Sequence, residues 1–214
     1  MKYIMSADEK FQMMTNTPVE KLICTLAAPT IASMLITSVY NMADTFFVSK
    51  ISTSASGAVG VAFSLMSIIQ AIGFTIGMGS GNFISRLLGQ RDREYAGKVA
   101  ATGFFTALFL GAALATVGFI FLDSLVYSLG ATPTIAPYAK DYIKYILLGA
   151  PFMIASFVLN NILRYQGSAF FSMIGIGIGG ILNIILDPIF IFSFNMGTAG
   201  AAIATIISQF ISFN

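Results

Sequence analysis

Two aspartates, Asp44 and Asp187, interrupt long apolar runs, and they are the residues of this sequence best placed to do chemistry. Asp44 lies in Tyr40-Asn-Met-Ala-Asp-Thr-Phe-Phe-Val48, and Asp187 lies in Asn183-Ile-Ile-Leu-Asp-Pro-Ile-Phe-Ile191. A charged side chain inside a bilayer costs at least ~2.5 kcal/mol, so such residues face a cavity or a partner and often mark an ion or proton pathway. Desolvation and a neighbouring acid both disfavour the charged form of a carboxyl group. The pair can therefore carry a proton, or hold Na⁺, a hard cation suited to carboxylate, amide and hydroxyl oxygens. Two simpler readings stay open. Asp44 can be an interfacial acid reaching water at a helix end, and Asp187 a buried acid paired structurally with Asn183 and Thr205.

The elements that must position these acids are membrane helices. Of 214 residues, 57% are hydrophobic and 9% charged, against about a quarter charged in a soluble domain. Mean hydropathy is +0.85. Uncharged windows run Leu22–Ala43, Ile51–Ser85, Val99–Leu122, Tyr145–Leu163, Tyr165–Leu186 and Pro188–Asn214. About 20 apolar residues span the hydrocarbon core as a helix. The windows exclude a soluble enzyme and predict an all-α membrane protein of six transmembrane helices, at about 21–48, 56–84, 99–122, 138–163, 168–192 and 197–214. Residues 1–20 form a polar segment with no apolar signal-peptide core. The sixth helix has no polar tail or cap after it, so the chain reads as continuing beyond Asn214.

The remaining composition narrows the chemistry. There is no histidine and a single cysteine, Cys24, which removes disulfides, His/Cys metal sites and histidine acid–base catalysis. A net charge of +2 gives no reason to expect nucleic acid. No cofactor is expected beyond H⁺ or Na⁺ as a coupling ion.

Depth arithmetic brings three helices to one level. If the first helix leaves the membrane near Lys50, Asp44 lies about 9 Å inside at 1.5 Å per residue. If the fifth leaves near Phe194, Asp187 lies about 10 Å inside, and Thr205, on the returning sixth helix, about 12 Å. Tyr40 and Asn183 sit one turn from Asp44 and Asp187 on the same faces. Pro188 removes the helical hydrogen bond to the Ile184 carbonyl, freeing an oxygen near Asp187. The expected cation or proton cluster is thus Asp44, Asp187, Asn183, Thr205 and Tyr40. Interhelical hydrogen bonding alone would also explain the last three.

Orientation follows from the cations. Arg86, Arg91, Arg93 and Lys98 share one connection with the side that holds Lys2, Lys10, Lys21 and Arg164, while Lys50, Lys140 and Lys144 lie opposite. The positive-inside rule puts the first set, and the amino terminus, in the cytoplasm. Arg164 and Lys144, near helix ends, are expected to snorkel toward headgroups. Asn160 and Asn161 precede Arg164 by one turn, and such an amide can meet a solute or a neighbouring helix. Gly73, Gly77 and Gly81, like Gly175 and Gly179, recur every fourth residue, a spacing that lets membrane helices approach closely. The run Gly175-Ile-Gly-Ile-Gly-Gly180 lacks the preceding strand that a dinucleotide loop needs. The 11 Met and 20 Phe suit a soft cavity for lipophilic guests, or simply face lipid.

Taken in order, these segments resemble the MATE family, the multidrug and toxic compound extrusion transporters. The resemblance runs from about Pro18 to the end. It is carried by Pro29, Tyr40-Asn41-x-x-Asp44, Arg86-x-x-Gly89-Gln90, Leu129-Gly130-Ala131, Arg164-x-x-Gly167, Asn183-x-x-x-Asp187-Pro188 and Gly197-x-x-Gly200-Ala201-Ala202-x-Ala204-Thr205. It implies one lobe of a twelve-helix, two-lobe transporter, here the amino-terminal lobe, completed by a second lobe or a dimer partner. It also implies a bacterial or archaeal plasma membrane and export of small lipophilic or cationic compounds in antiport with H⁺ or Na⁺. Asp44, Asn183, Asp187 and Thr205, with Tyr40 beside them, match the family's cation or proton cluster, and Asn160 matches a substrate-contact position. An acid at 187 resembles the branch described as proton-coupled. Two alternatives remain: a lipid-linked oligosaccharide flippase of the same superfamily, which should line its cavity with cations, and a non-transporting structural membrane subunit.

Overall fold

The computed structural model describes residues 7–213, which are helical almost throughout, with no strand among the described residues. Eight α-helices follow in order: α1 (Ala7–Asn16), α2 (Val19–Ser49), α3 (Thr53–Gly89), α4 (Arg93–Ile120), α5 (Leu122–Ser128), α6 (Ala136–Tyr165), α7 (Ala169–Pro188) and α8 (Gly197–Phe213). By length and composition α2, α3, α4, α6 and α7 can each cross a membrane, and α8 is a shorter apolar helix. Beside the six expected helices stand two short ones, α1 within the polar amino-terminal segment and α5 after α4. The Arg86–Lys98 connection is mostly helix, leaving only residues 90–92 between α3 and α4. Asp92 makes that tight turn possible by accepting a hydrogen bond from the Tyr95 backbone N–H at 3.0 Å, which caps the first turn of α4.

α6 is the centre of the lobe and packs against α3, α4 and α8, whereas α2 packs chiefly on α7 and only lightly on α3. Over an apolar stretch of 18 residues, 67% of α6 is buried, against 6% of α2. Outward faces are apolar, with Phe105, Phe109, Ile120 and Ile181 all exposed, the inverse of a soluble protein and the surface that lipid requires. Small residues bring the helices together. Gly73, Gly77 and Gly81 face Phe157, Asn161 and Tyr165 of α6. On α7, a Cβ at Gly179 would lie 2.9 Å from the Ser208 carbonyl oxygen of α8. The 175–180 run lies inside α7, as helix packing demands.

α4 presents a third seam of small residues, Gly103, Ala107, Gly111, Ala115 and Gly118, all buried. Gly111 meets the Pro151 backbone so closely that no Cβ fits, and backbone cannot yield as a side-chain tip can. Gly60, exposed on α3, has nothing within 4 Å of a Cβ. Gly111→Ala should therefore lower the thermal unfolding midpoint by the equivalent of about 1–3 kcal/mol. Gly60→Ala should leave it unchanged or slightly raised, as helix propensity favours alanine. Both are read from tryptophan-free fluorescence-dye melts of purified protein in detergent.

Candidate functional site

The site assembles where α2, α6, α7 and α8 converge. α7 reaches Asp187 as a regular helix, then Pro188 is followed by a π-helical turn over Ile189–Ser193. That widened turn fits a proline that has removed one backbone bond. The chain reverses through Asn195 (φ 53°) and Gly197 (φ 56°), residue types that tolerate the left-handed region. α8 then starts against the π turn. A Cβ at Gly200 would lie 2.7 Å from the Phe190 carbonyl carbon, so the absent side chain is what lets α8 lie close enough to α7 for Thr205 to meet Asn183.

The resulting polar cluster is deeply buried. Asp187 is fully buried, Asn183 is 2% and Thr205 3% exposed, and Asp44 is 6% exposed. The Asn183 amide donates to Asp187 Oδ1 at 3.3 Å and to Thr205 Oγ1 at 3.4 Å. From α6, Tyr142 donates its hydroxyl to Asp44 Oδ2 at 3.2 Å. The two carboxyl groups are near enough to repel when both are charged. Among the described residues, four buried side-chain oxygens have no protein partner: Asp44 Oδ1, Asp187 Oδ2, Asn183 Oδ1 and Ser208 Oγ. Three of them are pure acceptors when the acids are ionised, so the cluster is short of positive charge and of donors. Neither acid takes part in a salt bridge among the described residues. Among the described residues no three His, Cys, Asp or Glu side chains converge as a metal-binding group. The oxygen set has the chemistry to take up a proton or a monovalent hard cation.

Beside the cluster lies a cavity of about 340 Å³ between α2, α3, α6, α7 and α8. Tyr40, Asn183 and Thr205 line it, while Asp44 and Asp187 do not, and Asn183 bonds to Asp187 behind the wall. Tyr40 accepts a hydrogen bond from Gln209 Nε2 at 3.2 Å, which joins α2 to α8. Asn160 is on the cavity wall too, with both polar ends engaged: its amide donates to the Ser156 carbonyl at 3.0 Å and its oxygen accepts from Ser172 Oγ at 2.9 Å. It joins α6 to α7 as well as facing the cavity. Arg164 departs from the expected snorkelling. It lines the cavity and donates from Nε to Ser172 Oγ at 3.3 Å, because the polar α6–α7 junction offers it a partner inside the lobe. Lys144 keeps to its helix end and pairs with Asp141 at 2.6 Å.

Sequence reasoning missed Tyr142, Ser208 and Gln209. Tyr142 stands among Lys140, Asp141 and Lys144, which disguise it as an interfacial tyrosine. It precedes Asn160 by 18 residues, five full helical turns, so the polar face already suspected at Asn160 leads to it. Thr205, Ser208, Gln209 and Ser212 follow the i, i+3, i+4, i+7 spacing of one helix face, a stripe legible in the apolar sequence of α8.

Against known proteins, the MatE family model matches residues 29–189. The multidrug export protein MepA of Staphylococcus aureus (strain MRSA252) is 32% identical over 203 residues, covering 94% of this chain and 45% of that protein. MepA of Staphylococcus haemolyticus (strain JCSC1435) is 31% identical over 206 residues, covering 96% of this chain and 46% of that protein. Among solved structures, a MOP superfamily transporter from Pyrococcus furiosus superposes with a TM-score of 0.89 at 33% identity, over 96% of this chain and 45% of that one. The chain thus spans a little under half the length of the relatives it matches. These relatives are export proteins and transporters.

Tyr142→Phe keeps the ring but strips the Asp44 carboxylate of its donor, and should destabilise the fold by about 1–3 kcal/mol. In a double-mutant cycle with Asp44→Asn the two effects should be coupled by about 0.5–3 kcal/mol, measured by denaturant unfolding in micelles. Purely additive effects would mean that the two side chains share no bond.

Proposed function

The chain belongs to the MatE family, and on that premise we propose that it forms the amino-terminal lobe of a two-lobed secondary transporter that exports organic, often cationic, compounds in antiport with H⁺ or Na⁺. It is a multi-pass membrane protein of the multidrug efflux class. A second six-helix lobe, or a second copy, completes the cavity. The membrane is the bacterial or archaeal plasma membrane, with α1 and the α3–α4 turn on the cytoplasmic side, a reading supported by the Lys and Arg distribution.

One observation carries the coupling role: two buried carboxylates on different helices, each with an oxygen that no protein donor satisfies. A purely structural pair would be expected to complete its hydrogen bonds. A proton, or Na⁺ on Asp44, Asp187, Asn183 and Thr205, supplies the missing charge. Its arrival on Asp44 draws α2 toward α6 and α7. α2 is the helix best able to respond. It is the least buried span, it contains Pro29, and hydroxyls such as those of Thr30, Ser33 and Thr37 bond back to their own helix, which loosens helices. The adjoining cavity, with Phe74, Phe157, Met34 and the Asn160 amide on its walls, suits a flat lipophilic guest. Ion binding can shift the lobe only as far as the ion prefers one state, and the mutual repulsion of two charged acids supplies such a preference. Rocking of two lobes around the cavity then gives alternating access.

Arg164 on the cavity wall is the one feature that favours a flippase for anionic, lipid-linked substrates. A single guanidinium already bonded to Ser172 is a thin cradle for a pyrophosphate, and export of cations is the better-supported reading.

In proteoliposomes of the complete two-lobed protein, Asp44→Asn or Asp187→Asn should abolish gradient-driven export, with melting temperature unchanged or raised. Both variants transporting at the wild-type rate would overturn the coupling role. Imposing a proton gradient and a sodium gradient in turn identifies the ion.

A further inference from the structure

α1 lies across the end of the lobe that carries the α3–α4 and α6–α7 turns. Lys10 donates from Nζ to Ser168 Oγ at 2.7 Å, and Arg93 Nη2 pairs with Asp8 Oδ1 at 2.7 Å. The Arg91 guanidinium stands over the Phe11 ring, 4.8 Å from its centroid. Between α1 and the facing ends of α3 and α4 an open groove of about 520 Å³ remains. Phe11, Met14 and Leu88 give it an apolar wall, and Lys10, Arg91 and Arg93 line it with cations, against the single acid Asp8. Gly89 and Gly97 also line it, and a Cβ at either would meet nothing within 4 Å. The space therefore reaches the backbone of both helices.

Arg91 sharpens the reading. Its φ is 63°, in the left-handed region that glycine adopts freely and arginine does not. Glycine would make this turn with less strain, and what arginine adds is a guanidinium beside the groove. The Arg93–Asp8 pair is exposed, with side-chain exposures of 58% and 87%, and such pairs hold weakly, so Arg93 can turn to a stronger anion. The depth is also fitting. α1 ends at Asn16 and the apolar α2 begins at Val19, so the groove sits where lipid headgroups meet acyl chains.

We propose that this groove binds an anionic phospholipid, its phosphate held by Arg91, Arg93 and Lys10 and the first part of an acyl chain lying against Phe11, Met14 and Leu88. Guanidinium groups match phosphate oxygens in number and plane, and basic pockets at the cytoplasmic ends of membrane helices take acidic headgroups. A zwitterionic lipid offers the same chain but no net charge to offset three cations. The bound lipid ties α1 to both turns, and its binding does not depend on the coupling role of Asp44 and Asp187.

The test is native mass spectrometry of the delipidated protein titrated with phosphatidylglycerol or with phosphatidylcholine of the same chains. Preferential retention of phosphatidylglycerol is expected. Arg91→Gly, which suits the backbone, and Arg93→Gln should each weaken it about fivefold, the share of one cation near an anionic lipid. Both should leave phosphatidylcholine binding unchanged. Lys98→Gln, on the same side but paired with Glu94 and outside the groove, should change neither. Equal retention of the two lipids, or wild-type phosphatidylglycerol binding by both arginine variants, would overturn the proposal. Displacement of the lipid by free glycerol phosphate would overturn it too, assigning the groove to soluble phosphates instead.

Discussion

The lobe is organised around two carboxylates that are withdrawn from water without enough donors to satisfy them. Each unmet acceptor in a low-dielectric interior costs of the order of 1–3 kcal/mol, more when charged. Tyr142 gives Asp44 one hydrogen bond and Asn183 gives Asp187 one, and the remaining oxygens of both acids stay bare. Much of the surrounding architecture serves to hold this shortage in place. Gly179 and Gly200 let α8 close on α7, the π turn after Pro188 redirects the chain, and the buried α6 supplies a fixed tyrosine from the lobe's centre. On the proposed coupling reading, an entering ion or proton supplies the charge or donor that the cluster lacks.

The two helices that hold Asp44 between them, α2 and α6, are packed very differently. α6 is held by small-residue seams on α3 and α4 and by its own burial, and it carries Tyr142 and Asn160. α2 carries Asp44 and Tyr40 yet leans mainly on α7, and its hydroxyls turn to their own backbone instead of to neighbours. The cavity opens along this lightly held side. On the proposed reading, neutralising Asp44 changes the attraction between a lightly packed helix and a deeply packed one, and a change at one carboxylate becomes a change in cavity shape.

Much of this was legible in the residues. Charge-free windows located six helices, and counting 1.5 Å per residue from the ends of the outward helices put Asp44, Asp187 and Thr205 at one level, where the fold brings Asn183, Asp187 and Thr205 into contact. Tyr142 escaped because that count was applied from helix ends, and its charged neighbours suggested an end rather than an interior. Arg164 was misjudged for a related reason. Sequence position gives depth but not rotation, and the partner that turns Arg164 inward, Ser172, belongs to the next helix. The helical α1 and the three-residue α3–α4 turn depend on contacts such as Lys10–Ser168 and on the Asp92 cap, which composition alone does not reveal.

The central claim, that Asp44 and Asp187 exchange a proton or cation within the lipid-embedded protein, is tested most directly by infrared difference spectroscopy of the protein in bilayers during pH and sodium jumps. A carboxylic C=O band from a buried protonated acid should rise or fall with the jump in the wild type and be lost in Asp44→Asn or Asp187→Asn. A spectrum in which no carboxyl band responds to pH or sodium, or in which the responding band survives both substitutions, would contradict it.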